Sequence, residues 1–204
     1  VIGQGYQIKS DQATFLDIEG DLIPYDYPIN IPQGWFLMAY LNQTAADASV
    51  MMEPIVSDLT ILKDWQGSVY WPMLGINTLG FMNPGEGYQT NTSSSTTLSY
   101  PYSGAGRFDF NSTNDDVSTK YNNPINTGNN MTLGIPDNAW ESKPDRGDEI
   151  VVFDQDGLMV GHAIYNEGST AISIWGDDLL TDEKDGLDIY ESFNIRLWRK
   201  SLDV

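Results

Sequence analysis

Six acidic side chains fall within twelve residues of the sequence: Asp177, Asp178, Asp182, Glu183, Asp185 and Asp188. Calcium takes six to eight oxygen ligands, and an Asp-rich loop supplies them without a helix. The spacing is not that of an EF-hand, because Asp182-x-x-Asp185-Gly186 lacks the alternation and the terminal bidentate Glu. Asp177, Asp178, Asp182, Glu183 and Asp185 are therefore the candidate calcium ligands. A solvated loop that uses Asp and Gly for turn geometry is the alternative. Asp154 and Asp156, in Asp154-Gln155-Asp156-Gly157, read as hairpin-turn residues first.

Flat aromatic faces offer a second chemistry. Trp71, Trp140 and Trp175 are candidate platforms for sugar rings, with core packing as the competing role. Trp35, Trp175 and Trp198 sit in apolar strand-like runs and favour the core. Trp140, in Asp137-Asn138-Ala139-Trp140, is the one expected at the surface.

Catalytic constellations are scarce. His162 is the single histidine and cysteine is absent, so a nucleophile triad or a zinc site is all but excluded. His162 reads instead as a hydrogen-bonded strand residue. Ser57 and Lys63 are too far apart for Ser-x-x-Lys chemistry. Carboxylate pairs are so numerous that none marks a glycosidase, although a cleft with two of them about 5–10 Å apart would. No catalytic residue is assigned.

The elements that must hold these residues are mostly strands. Aromatic residues make up 12 % of the 204 residues and charged ones only 19 %, a balance that suits a β-rich extracellular module. With 29 acidic against 10 basic side chains the net charge is −19. That charge repels nucleic acid, which needs clustered Lys and Arg. No apolar run approaches the roughly 20 residues of a membrane span.

Along the chain, Tyr6–Lys9 and Thr14–Ile18 read as strands, and Pro24, Pro28 and Pro32 break continuous pairing in the extended connection that follows. Gly34–Tyr40 is apolar on both faces and reads as a central strand. Thr44 is the expected cap of a helix that carries Val50, Met51, Ile55 and Val56, restarted at Pro54. Met51 and Met52 are expected in the core. Leu59–Lys63 and Ser68–Trp71 form a hairpin around Asp64–Gly67. Residues 90–106 read as a polar loop and a boundary. Beyond it, Arg107–Phe110, Met131–Ile135, Glu149–Phe153, Leu158–Tyr165, Ala171–Trp175 and Asn194–Trp198 read as short strands of a sandwich.

Gly5-Tyr6-Gln7 recurs as Gly87-Tyr88-Gln89, 82 positions on, and Leu98 matches Leu16 at the same offset. Such self-similarity marks modular architecture. Val1 then falls inside a unit, and the chain reads as an excerpt. The expected layout is residues 1–10 as the closing strand of a preceding repeat, 11–102 as an α+β repeat module and 103–204 as a β-sandwich module. Thr90 stands where the first copy has Ile8, so the second closing strand is expected to be shorter.

Several phrases carry a specific resemblance: Gly34-Trp35-x-x-Met38-x-Tyr40, Leu59-Thr60-Ile61-Leu62-Lys63-Asp64, Gly67-x-x-Tyr70-x-Pro72 and Pro84-Gly85-x-Gly87-Tyr88-Gln89. Together they resemble a repeat module of large secreted surface proteins of Bacteroidetes, commonly exported by the type IX route. Gly147-Asp148-Glu149-Ile150, Ile174-Trp175-Gly176-Asp177-Asp178 and Phe193-x-Ile195-Arg196-Leu197-Trp198 resemble a second element of those proteins. The resemblance implies an extracellular, non-catalytic role in adhesion or polysaccharide binding, with polysaccharide or neighbouring modules as partners. A purely structural spacer is the alternative, and a glycoside hydrolase fragment a more distant one.

Overall fold

The computed structural model describes residues 1–10, 12–103 and 119–203. It is mainly β, with several antiparallel sheets. Two compact units emerge. The first comprises Val1–Asp64, Ser68–Met73 and Asn77–Phe108, and the second Trp65–Gly67, Leu74–Ile76 and Asp109–Val204. The expected strand at Arg107–Phe110 lies outside the described residues.

In the first unit, β1 (Ile29–Ile31) is followed by β2 (Gly34–Ala39), β3 (Ala46–Asp47) and the short helix α1 (Ala48–Met51). Then come β4 (Leu59–Lys63), β5 (Val69–Trp71), β6 (Ile76–Asn77), β7 (Phe81–Met82), β8 (Gly87–Thr92) and β9 (Thr96–Leu98). Five of them form a sheet in the order β2-β8-β4-β5-β6, while β1 pairs with β9 and β3 with β7. The inward face of β2 places Phe36 and Met38 against a core of Ile29, Ile31, Met51, Met52, Leu62, Met82, Tyr88 and Leu98. Both methionines of α1's C-terminal end are buried, as the apolar spacing requires.

Local sequence misplaces three features here. Thr44 does not cap α1: Ala46 and Asp47 pair with β7, and Asp47 Oδ1 accepts the Ser49 N–H at 2.8 Å. The strand partner delays the helix by three residues. β2 is not central, since it stands at one end of its sheet, and it is not covered on both faces, since Trp35 is 59 % exposed. Nor is 90–106 all loop. β8 runs on to Thr92 and β9 follows, because Thr90 and Thr92 point inward and are buried.

The N-terminal phrase touches the sheet at one place. Gln4 bridges Met38, Gly5 N–H donates to Leu37 O at 2.8 Å, and Ala39 N–H donates to Gly3 O at 3.0 Å. Tyr6–Lys9 and Thr14–Ile18 form no strand, and Tyr6, Ile8, Phe15, Leu16 and Ile18 are exposed. Apolar alternation makes a strand only where a neighbour supplies hydrogen bonds and a surface to cover.

The second unit holds β10 (Asn130–Ile135), β11 (Glu149–Phe153), β12 (Met159–Ile164), β13 (Thr170–Trp175) and β14 (Asn194–Trp198). They make one antiparallel sheet in the order β10-β13-β12-β11-β14. Ile150, Val152, Val160, Tyr165, Ile172 and Ile174 form its core, with Trp140, Leu187 and Phe193 packed against them. Asp154–Gly157 is the β11–β12 turn, and Gly157 takes the positive φ (92°) that an L side chain resists.

Candidate functional site: a carboxylate cage beside a rimmed cleft

The loop from Asp177 to Phe193 joins β13 to β14 and carries all five candidate calcium ligands. Its first part folds on its own backbone. Asp177 Oδ1 accepts the amides of Asp185 (2.8 Å) and Gly186 (3.3 Å), Asp185 Oδ1 accepts that of Asp178 (3.0 Å), and Asp178 Oδ1 that of Leu180 (3.1 Å). Asp182 and Glu183 are exposed. Asp177, Asp178 and Asp185 thus satisfy backbone donors, which is what Asp does well in turns.

The carboxylates that converge are others. Asp154, Asp156 and Glu191 each offer an oxygen within 4.8 Å of one another, an arrangement that could hold a metal ion. A cation from the protein itself already lies among them. Lys184 Nζ is 2.7 Å from Asp154, 2.9 Å from Glu191, 3.6 Å from Asp156 and 3.9 Å from Asp188. The Asp154 side chain is fully buried, and its Oδ1 also accepts the amides of Asp156 (3.0 Å) and Leu158 (2.7 Å). Burial pushes the Asp154 carboxyl up, but Lys184 and these amides outweigh it and hold it below the ordinary value. Glu191 is lowered chiefly by Lys184 and then by the Asp188 amide. Lys184 is raised, first by Asp154 and then by Glu191. Sequence reading identified the Asp154–Asp156 turn but not its partner Glu191, which only the tertiary fold brings near.

Beside the cage lies a cleft of about 360 Å³, bounded by the start of β10, the end of β13 and the 187–193 segment. Asn129, Asn130, Asp188 and Glu191 give it polar walls, and Met131, Ile174, Ile189, Tyr190 and Phe193 give it apolar ones. Tyr190 stands fully exposed at its rim. Residues Asp188–Glu191 form a turn closed by Glu191 N–H donating to Asp188 O (3.1 Å), and the Glu191 carboxylate accepts the Asp188 amide (3.0 Å). Tyr190 occupies the third position with φ 68° while Ile189 keeps a negative φ, so this is the turn type that normally places Gly there. An aromatic residue in the left-handed region costs about 1–2 kcal/mol.

The three tryptophans expected to stack on sugars lie elsewhere. Trp175 is on β13 and only 5 % exposed, so it presents no free face. Trp140 is half-buried rather than at the surface: it packs edge-on against Tyr165 with ring centroids 6.2 Å apart. Trp71 ends β5, half-buried. The exposed indoles are Trp35 and Trp65. His162 is, as expected, a bonded strand residue: Nε2 meets Glu149 Oε2 at 2.9 Å and Nδ1 meets Asn123 Oδ1 at 3.0 Å.

Among the described residues, no helix is long and apolar enough to cross a membrane. Comparison with protein-family models, with curated proteins and with solved structures returned no match to this chain.

Proposed function

We propose that the chain is a non-catalytic segment of a large secreted or cell-surface protein, and that it contacts polysaccharide through the cleft rimmed by Tyr190. One observation carries the reading. An aromatic ring is held fully exposed, in a backbone conformation that disfavours it, above walls rich in amide and carboxylate groups. Sugar rings present apolar faces to aromatics and hydroxyls to such groups, and strain of this kind persists where surrounding structure enforces it. Glu191 lines the same cleft but is held ionised by Lys184, which suits hydrogen-bond acceptance better than proton donation.

The layout that fits this role is an α+β repeat module followed by a β-sandwich module, of the kind in type IX cargo proteins of Bacteroidetes. The sequence phrases quoted above and the two separate cores support it. Calcium enters the proposal in one form only: it would have to displace the Lys184 ammonium from Asp154, Asp156 and Glu191.

A glycan array probed with the whole chain and with Tyr190→Ala tests the reading. The wild type is expected to retain polysaccharides that the variant loses. Equal retention by both would remove the cleft from consideration. A second reading, a structural module that packs against its neighbours, draws on the exposed apolar side chains of Phe15, Leu16, Ile18 and Leu22. Absence of any retained glycan, together with concentration-dependent self-association lost on deleting residues 1–23, would favour it.

A further inference from the structure

We infer that the cleft takes an amine-bearing saccharide and rejects anionic ones; this rests on the polysaccharide reading of the cleft and adds the ligand's charge to it. The cleft has no Lys or Arg among its lining residues. The neighbouring cage shows what the local carboxylates accept, because the one group they surround is an ammonium. Within that cage the acids are not equivalent. Asp154 is buried and Glu191 nearly so, and both are committed to Lys184 at 2.7 and 2.9 Å. Asp188 is the most loosely paired of them, 3.9 Å from Lys184 with its side chain 59 % exposed, so it is the carboxylate that an incoming cation reaches most readily. It belongs to the same turn as Tyr190, whose exposed π-face also attracts a cation.

A protonated 2-amino sugar brings the cation that both groups attract, and the lining residues Phe193 and Asn129 have the chemistry to face its ring and a hydroxyl. A uronate or a sulfated sugar brings a negative charge to a cleft lined by Asp188 and Glu191, where the nearby Lys184 ammonium is outnumbered by the carboxylates around it, in a chain of net charge −19. The ligand class that fits is therefore a deacetylated amino-sugar oligomer.

Calorimetric titration of the full chain with three oligosaccharides of matched length decides it: a glucosamine oligomer, its N-acetylated counterpart and a uronate oligomer. The glucosamine oligomer is expected to bind most tightly and the uronate oligomer not at all. Asp188→Asn should weaken glucosamine binding about tenfold, the scale of one charge-assisted hydrogen bond. Tyr190→Ala, which leaves every charge in place, should weaken it as well. If Tyr190→Ala binds unchanged, the attraction is diffuse charge only and the inference falls. If the N-acetylated or uronate oligomer binds as well as the amine, and Asp188→Asn is silent, the charge selection is wrong while the cleft remains a sugar site. If none of the three binds, the inference and the polysaccharide reading fail together.

Discussion

Gly186 lies so close against Gly176 that a Cβ on Gly186 would collide with the Gly176 carbonyl. This contact seats the long acidic loop on the end of β13. Leu187 bridges Gly176, Asp177 N–H donates to Leu187 O at 3.0 Å, and Leu187 N–H donates to Trp175 O at 2.9 Å. Neither backbone can easily give way, because Gly176 is held from the other side by Asn129 O (2.9 Å) and by Thr127 Oγ1 (2.6 Å). Gly186→Ala should therefore cost about 1–3 kcal/mol, the usual range for overpacking a tight site. Denaturant unfolding would measure it. Hydrogen exchange should quicken at Leu187 and Asp177, and unchanged exchange there would mean the loop is seated by something else.

Lys184 supplies the next prediction. Lys184→Met leaves Asp154 buried with two amides but no counter-charge, so the melting temperature should fall by several degrees. The wild-type pair also sets an acid limb. Asp154 and Glu191 are held below their ordinary values, so their contribution is present above the unfolded pKa and disappears as pH falls through the folded one. The variant should lose less stability on acidification than the wild type. Calcium should raise the melting temperature of Lys184→Met more than that of the wild type, since the ammonium no longer competes for the carboxylates. An equal calcium response in both proteins would show that Lys184 does not occupy the cation position.

Much of the strand framework was legible because its signals are local. Glu149–Phe153 and Asn194–Trp198 are strands over the residues that the sequence marks, and Asp154–Gly157 turns where Asp-Gly chemistry says it should. Errors arose where a tertiary partner decides the outcome. Asp47 rather than Thr44 caps α1 because β7 claims Ala46 and Asp47 for a strand pair. β2 stands at the end of its sheet and leaves Trp35 exposed, and neither its place in the strand order nor the cover on its second face can be read from alternation. The site suffered most. The 177–188 run drew attention by its density of acids, yet Asp177 and Asp185 bind the loop's own amides. The cage instead joins Asp154 to Lys184, thirty residues further on, and to Glu191. Tyr190 left no signal either, since residue-type rules place Gly, not Tyr, at that turn position.

Tyr190 itself can be tested for a trade between stability and binding. Tyr190→Gly relieves the unfavourable φ of 68° without removing a buried contact. Some of that gain is offset by the greater freedom of Gly in the unfolded chain. A net stabilisation of about 0.5–1 kcal/mol is expected, together with loss of the sugar binding proposed above. A destabilised variant would mean that the ring makes contacts that outweigh its strain.

Lys63 gives a prediction on the alkaline side. It sits on β4, only 3 % exposed, with its ammonium 5.8 Å from the Trp35 ring centroid. Burial pulls its pKa down to about 8, against a weaker opposing pull from Asp64. Because the folded value lies below the unfolded one, the unfolded chain binds more protons between pH 8 and about 10.4, and stability rises with pH across that interval. The Trp35 contact and residual water screening limit the gain to about 1–2 kcal/mol. Tyr40, raised by burial to about 12, loses stability as unfolded tyrosines begin to ionise near pH 10. The Lys63 effect is therefore cleanest between about pH 7.5 and 9.5. Lys63→Met removes the titrating group from β4. Its stability should stay flat across that window while the wild type climbs. Parallel pH profiles for the two proteins would show that Lys63 keeps its proton at no cost.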